Sequence, residues 1–294
     1  MEYKSYNSEN DNKFSIIIPT WGNLAMLKLC VNSIRKNSTF DHQIILHINE
    51  NSDGTKKWAE KNKIDHTFSK QNIGICLAMN VATTLVRTKY ICYMNDDMYA
   101  LPLWDKFLFD EIKKIGHDYF FLSATAIEPK GSKSNKCKLS SFDYGKTVEN
   151  FNEKSLLNDF EKFKKNDWCG ATWPPNIVAK KIWDLVGGYS IEYSPGMYSD
   201  PDFSMKLWKI GVRYFKGLGK SRVYHFISHS TKRIQKNNGR KQFLNKWRLT
   251  NSTFSRYYLR RGKIFNGPLN EPENTFGYKI ALLKSKIKNS LHLS

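Results

Sequence analysis

Tyr90-Ile91-Cys92-Tyr93-Met94-Asn95-Asp96-Asp97 decides the fold of this chain. Residues 90–94 are apolar or aromatic without a polar break, which predicts a short strand buried on both faces. The run ends in an amide and two adjacent carboxylates, so the strand delivers hard oxygen donors to one edge of a sheet. Such oxygens suit Mg²⁺ or Mn²⁺, and no histidine cluster lies beside them to favour zinc. A divalent ion held there would bridge phosphates and neutralise a diphosphate leaving group. A plain Asn/Asp turn after a strand is just as ordinary, and the residues alone leave both readings open.

The flanking sequence alternates strand and helix signals. Phe14–Pro19 is a β-branched apolar run, and Asn23–Lys36 then spaces Leu24, Leu27, Val31 and Ile34 as a helix does. Gln43–Asn49 predicts the next strand, with the turn cluster Asn51-Ser52-Asp53-Gly54 after it. Gly74–Thr88 predicts a helix that runs directly into Tyr90–Met94. Strands alternating with helices imply βαβ units and a mostly parallel, Rossmann-like α/β sheet flanked by helices. In such sheets ligands bind at the carboxyl ends of the strands, so the loops at Pro19, Asn49 and Asn95 are expected on one rim. Farther along, residues 130–155 read as a loop or insertion, Pro201–Ile210 as a helix and Arg222–Phe226 as a late strand. Lys241–Arg261 reads as helical and Tyr278–Leu293 as a basic amphipathic tail.

The chain has 294 residues, 40% apolar and 25% charged, which excludes global disorder. No apolar run approaches the roughly 18 residues of a membrane span. The first residues carry no basic-then-apolar signal segment, so a cytoplasmic location is expected. Five cysteines without a CxxC pair predict reduced, buried thiols. Charge is one-sided: residues 1–202 hold 26 Lys/Arg against 25 Asp/Glu, whereas residues 203–294 hold 21 against 2. That field implies an anionic partner for the C-terminal part: a membrane surface, a lipid diphosphate or nucleic acid.

Gly217-Leu218-Gly219-Lys220-Ser221 ends like a phosphate loop, but Tyr214 stands where a glycine is required and a strand follows, so it is rejected. Ser199-Asp200-Pro201-Asp202 is a second carboxylate pair. Asp200 before Pro201 has the form of a helix N-cap, and a helix N-terminus would also hold a general base ionised and oriented. His225 and His229 follow a strand with no acid between them, which does not suit a metalloprotease helix. Trp168, Trp173, Tyr189, Tyr193 and Tyr198 crowd the segment before Asp200 and would either stack on a sugar or pack the core.

Taken in order, these segments resemble the family 2 glycosyltransferases of the GT-A fold. Ser15-Ile16-Ile17-Ile18-Pro19-Thr20 is similar to that family's opening strand, and Asn49-Glu50-Asn51-Ser52-Asp53-Gly54-Thr55 to its second-strand loop. Asn72-Ile73-Gly74 with Ala78 and Asn80 resembles its N-x-G…A-x-N helix, and Asn95-Asp96-Asp97 its metal-binding DxD. Gly187-Gly188-Tyr189 is similar to the glycines before its acceptor region, and Ser199-Asp200-Pro201-Asp202 to its ED-x-D base segment. Val223-Tyr224-His225 with Ser230-Thr231 resembles its late histidine motif, so the likeness runs from about residue 14 to residue 231. Asn95, Glu50 and Ser199 each stand where the family more often has an aspartate or another acid.

The resemblance implies an inverting transferase that uses a nucleotide-sugar donor, a UDP-sugar in first expectation, with Mn²⁺ or Mg²⁺. It places Pro19, Thr20, Glu50, Asn72, Asn80 and Asp96 around the nucleotide, and Asp97 with Asn95 and His225 at the metal. Asp200, with Asp202 as its rival, would deprotonate an acceptor hydroxyl. The expected organisation is a GT-A catalytic domain over residues 1–235, its nucleotide half near 14–100 and its acceptor half near 100–235, followed by a basic helical extension over 236–294. The acceptor expected is a glycan or lipid-linked molecule of surface-polysaccharide or glycolipid synthesis. The basic C-terminal part lies outside the resemblance: Tyr278–Leu293 would either rest on the inner face of an anionic membrane through Ile280, Leu282, Leu283 and Ile287, bringing the enzyme to such an acceptor, or form a packed or frayed terminal helix. The competing reading is a nucleic-acid-binding protein, or a sugar transferase directed to nucleic acid. It rests on a net charge of +17 over residues 203–270 interleaved with Trp247, Phe254, Tyr257 and Tyr258.

Overall fold

A computed structural model describes residues 1–6, 11–129, 136–140, 142–227 and 235–291. The sequence segments His229, Ser230-Thr231 and parts of the 130–155 stretch lie outside the described residues. In chain order the first half contains β1 (Glu2–Lys4), β2 (Phe14–Thr20), α1 (Leu24–Asn37), β3 (His42–Asn49), α2 (Thr55–Lys61), β4 (Asp65–Ser69), α3 (Gly74–Ala82), β5 (Tyr90–Tyr93), β6 (Met98–Ala100), α4 (Trp104–Ile115) and β7 (Phe120–Ile127). The second half contains α5 (Glu153–Asp159), β8 (Trp168–Cys169), β9 (Asn176–Ala179), α6 (Lys180–Leu185), α7 (Ser199–Lys209), β10 (Tyr214–His225), α8 (Gly239–Trp247), α9 (Asn251–Thr253) and α10 (Phe276–Ser290).

The ten strands among the described residues join one sheet in the order β1-β4-β3-β2-β5-β9-β7-β10-β6, with β8 paired to β10. The ladders β4-β3-β2-β5 and β7-β10 are parallel, and β9 joins the two groups by antiparallel pairing. The centre is parallel because β2 and β3 are apolar on both faces. Ile16, Ile17 and Ile18 are fully buried, with one helical layer on each side of them. Leu27, Cys30, Val31 and Ile34 of α1 pack on one face with Trp104 and Leu108 of α4. Cys76 and Met79 of α3, Ile182 of α6 and Phe203 and Leu207 of α7 cover the other. Each such side chain contributes about 1.5–3 kcal/mol of burial.

The sequence-predicted strands and helices of the first half stand within a few residues of their expected ends. The Gly74–Thr88 helix is shorter, closing in a 3₁₀ turn over Thr83–Leu85. The late strand is much longer than Arg222–Phe226, running from Tyr214 through the rejected phosphate-loop segment. A Cβ on Gly217 would stand 1.9 Å from the Trp168 ring, so the glycine is there to let that indole lie on the strand. The helix expected over Lys241–Arg261 breaks at Arg248, whose backbone is left-handed, and resumes as α9 and one wide turn over Phe254–Tyr258. Phe243, Leu249, Phe254, Leu259 and Leu269 of this region are buried in the same core as α3 and α7.

Candidate functional site

β2 and β3 end together at the rim, with β5 pairing alongside β2. Strand β5 stops pairing after Tyr93, while β2 continues to Thr20 and β3 to Asn49. Released from the ladder, Asn95-Asp96-Asp97 turns back toward β6, which pairs antiparallel with the end of β10 and brings His225 to the same place. The result is a cleft of about 380 Å³ lined by Pro19, Thr20, Trp21, Asn49, Asn72, Asn95, Asp96, Asp97, Asp200 and His225 among others. A second cavity of about 320 Å³ shares Tyr93, Asn95, Asp200 and His225 with it and adds Glu128, Trp173 and Pro174.

The acidic turn is fixed from both sides. Thr20 Oγ1 donates to Asp96 Oδ2 at 2.7 Å, and the Phe226 amide donates to the Asp97 carbonyl at 3.1 Å. His225 lies between two carboxylates, with Nε2 3.4 Å from Asp97 Oδ1 and Nδ1 3.1 Å from Glu128 Oε1. Burial works against its charge, but Asp97 and Glu128 outweigh it and push the imidazole pKa up to about 10. Glu128 in turn pairs with Lys138.

On the far side of the cleft α7 begins at Ser199, after Tyr198 in left-handed backbone. The N-cap reading of Asp200 therefore does not hold: Asp200 lies inside the first turn and makes no side-chain cap bond. Its Oδ1 instead accepts from the Tyr189 hydroxyl at 3.1 Å while the residue stays partly open to both cavities. Burial pushes the Asp200 pKa up to about 6, with the Tyr189 hydrogen bond pulling the other way. The loop before α7 packs on α3, where the Ile75 amide donates to the Pro195 carbonyl at 2.8 Å. Gly74 has φ +73°, and a Cβ there would lie 2.8 Å from Pro195 Cα, which explains the glycine of the N-x-G segment.

Of the sequence-predicted residues, the structure brings Pro19, Thr20, Asn72, Asn95, Asp96, Asp97, Asp200 and His225 to one cleft. Three others stand elsewhere. Asp202 is fully buried; it accepts from Ser190 Oγ at 2.6 Å and Trp247 Nε1 at 2.8 Å and pairs with Lys246 at 3.0 Å. Asn80 clamps the backbone of Tyr189 through Nδ2 and Oδ1, each at 2.8 Å. Glu50 accepts from Trp21 Nε1 at 2.9 Å, so it holds a cleft-lining indole and does not line the cleft itself. Sequence reasoning missed Trp21, Glu128 and the role of Tyr189. Glu128 follows Phe120–Ile127, whose mostly apolar residues, broken only by Ser123 and Thr125, were a signal for the strand that places it.

A model of glycosyl transferase family 2 matches residues 15–173. This chain belongs to that family. The match takes in β2, β3, β5 and the acidic turn, whereas Asp200 and His225 lie beyond it. No curated protein sequence matches the chain. Among solved structures it is similar to S. aureus TarS, at 14% identity and TM-score 0.59, over 95% of this chain and 43% of that one. It is also similar to TarS residues 1–349 in complex with UDP-GlcNAc, at 16% identity and TM-score 0.57, over 80% of this chain and 64% of that one. The complex of the same TarS fragment with UDP matches at 17% identity and TM-score 0.53, over 72% and 60% of the two chains. The chain thus spans less than two thirds of each, and the likeness carries the GT-A-like fold: a mixed, mostly parallel sheet flanked by helices.

Proposed function

We propose that this family 2 glycosyltransferase moves a sugar from a nucleoside-diphosphate donor to an acceptor hydroxyl with inversion, with Asp200 as general base. One observation carries the reading: the Asp200 carboxylate borders both cavities, one holding the acidic turn and the other walled by Trp173 and Pro174. The acceptor hydroxyl attacks the anomeric carbon as its proton passes to Asp200, and the bond from that carbon to the diphosphate oxygen breaks. A pKa near 6 leaves Asp200 ionised at neutral pH yet basic enough to take a proton. Asp202 is engaged by Ser190, Trp247 and Lys246 inside the protein, which favours Asp200 over its rival as the base. UDP is the first candidate nucleotide, in keeping with the UDP and UDP-GlcNAc bound to the TarS fragment.

The donor set fits a divalent ion held by few protein ligands. Asp97 and the Nε2 of His225 face each other in the cleft, though His225 would have to give up the proton that Asp97 and Glu128 favour before it could join Asp97 as a ligand, and no group of three or more His, Cys, Asp or Glu stands together among the described residues. That pattern suits Mg²⁺ or Mn²⁺, which take one or two protein ligands with substrate phosphates completing the shell. The ion would supply charge neutralisation for the departing diphosphate. Thr20 and Asp96 would then orient the ribose or phosphates. A surface-polysaccharide or glycolipid acceptor remains the proposed class. The nucleic-acid reading keeps one of its four aromatics, Tyr257, which lines two basic cavities, whereas Phe254 is fully buried, Trp247 binds Asp202 and Tyr258 packs on Trp208.

The test is thermal stability with UDP, GDP, dTDP or CMP, each with Mn²⁺, Mg²⁺ or EDTA. A ligand that binds the folded state stabilises it by mass action, by about 2.7 kcal/mol at a hundred times Kd, and Tm rises accordingly. The expected result is a metal-dependent rise with one nucleotide that Asp97→Ala abolishes. A rise with none of them would overturn the donor assignment.

A further inference from the structure

The last helix carries a surface that the transfer chemistry does not use. On α10, Phe276, Ile280, Leu283, Ile287 and Leu291 are exposed by 80%, 37%, 57%, 48% and 61%. At about 100° per residue these five positions fall within an arc of roughly 80°. The opposite side of the helix is the one that holds it to the protein. Ser285 is fully buried, Leu282 packs on the core, the Tyr278 hydroxyl bonds that of Tyr258 at 2.8 Å and Asn289 accepts from Arg248 at 2.9 Å. The apolar stripe therefore points away from the body of the protein.

Lysines border that stripe on both sides. Lys284 and Lys288 follow one edge, and Lys279 and Lys286 follow the other, with no acid on the helix. Lys284 and Lys288 also line a cavity of about 400 Å³ with Arg256, Thr250 and Ser252. Arg256 continues into a neighbouring cavity of about 470 Å³ with Arg260 and Lys263. Strand β8 separates this basic region from the cleft: Cys169 faces the basic cavity and Trp168 the second cavity of the active site. Apolar side chains at the centre of a helix face with cations at both margins match a bilayer interface, where rings and aliphatic chains enter the acyl boundary and lysines meet anionic headgroups. A second copy of the chain would bring lysine rows against lysine rows. Nucleic acid would use the cations and leave the five apolar side chains in water.

We infer that α10 docks the enzyme on an anionic lipid bilayer, with Phe276, Ile280, Leu283, Ile287 and Leu291 in the interface and the basic cavities at headgroup phosphates. This goes beyond the transferase reading and stands without it, because its readout is vesicle binding. The full chain is sedimented with phosphatidylcholine vesicles and with vesicles containing phosphatidylglycerol, at low and high salt. Binding is expected only with the anionic vesicles, falling at least tenfold at high salt. Each lysine at the surface is worth about fivefold in partitioning, so Lys284→Gln with Lys286→Gln is expected to weaken binding about 25-fold. Leu283→Glu with Ile287→Glu, at positions exposed enough to leave folding intact, is expected to abolish it.

No sedimentation with anionic vesicles at low salt overturns the inference. So does retention of full binding by the Leu283→Glu and Ile287→Glu variant. A stable dimer in light scattering that Leu283→Glu dissolves would assign the stripe to a second copy. Salt-sensitive binding of an oligonucleotide at equal affinity, unaffected by the two glutamates, would assign the basic face to nucleic acid.

Discussion

Replacing Asp200 by asparagine is expected to make the protein more stable at alkaline pH while removing its activity. The side chain keeps its shape, and Oδ1 can still accept from Tyr189. What changes is the charge. In an unfolded chain the carboxyl ionises near its ordinary value of 3.8, whereas in the fold it holds its proton until about 6. As pH rises from the first value through the second, the unfolded state releases a proton that the folded state keeps, so stability falls. Above about pH 7 the loss is complete and constant. At 1.36 kcal/mol per pH unit the full figure is about 3 kcal/mol. Because Asp200 opens onto water in the cleft, about 1–2 kcal/mol is the working value. Asparagine carries no such penalty.

The assay is a melting curve at about pH 4.5 and about pH 8 for both proteins, with activity measured on the donor that the nucleotide screen identifies. The variant's advantage in Tm is expected to grow between the two pH values, reaching about 2–8 °C at the upper one. Its kcat is expected to fall by about 10²–10⁴, the usual contribution of a general base. A Tm difference that stays flat across this range would show that the carboxylate is not held against its charge. A variant with undiminished kcat would remove Asp200 from the chemistry whatever its stability.

Tyr189→Phe removes the donor that stabilises ionised Asp200, so the acid limb of the pH–rate profile is expected to move up by about one pH unit from its position near 6. Asp202→Asn separates the two carboxylates: a stability loss of about 1–3 kcal/mol with kcat within tenfold of wild type is expected, measured by denaturant melts and initial rates. Asn80→Ala deletes both bonds to the Tyr189 backbone and is expected to cost about 2–3 kcal/mol, leaving the nucleotide Kd unchanged because the side chain does not line the cleft.

The elements legible in the sequence are those in which one physical signal acts alone. Phe14–Thr20 and Tyr90–Tyr93 are buried on both faces, so their composition is decided by burial and the strand is plain in the residues. The rim followed from topology, since parallel neighbours must release their chains at the same end. The late strand was legible only at Arg222–Phe226 because its long ladder is interrupted midway: pairing with β7 is irregular between Leu218 and Arg222, and Gly217 and Gly219 beside that break answer to Trp168 and Lys165. Glycines chosen for contacts distant in sequence look like loop glycines when only neighbours are visible.

The same distinction runs through the site. Pro19 and Thr20 could be read because they end a strand, and Asn95, Asp96 and Asp97 because they form the turn that directly follows one, so the strand carries each to the rim. Asp200 and Asp202 could not be ranked, since two positions along a helix put their side chains about 200° apart and the sequence does not say which side is the cleft. The ranking comes from partners 44 and 45 residues downstream: Lys246 and Trp247 of α8 take up the Asp202 carboxylate and leave Asp200 to the cavity. The helix that carries Asp200 is thus tied down by a segment outside the family match, through the fully buried carboxylate of Asp202. Loss of Trp247 would leave Asp202 short of a donor inside the core, and α7 would be expected to turn before the protein unfolds. Trp247→Phe should then lower kcat with little change in nucleotide affinity, and an equal fall in both would argue against orientation as the role of α8.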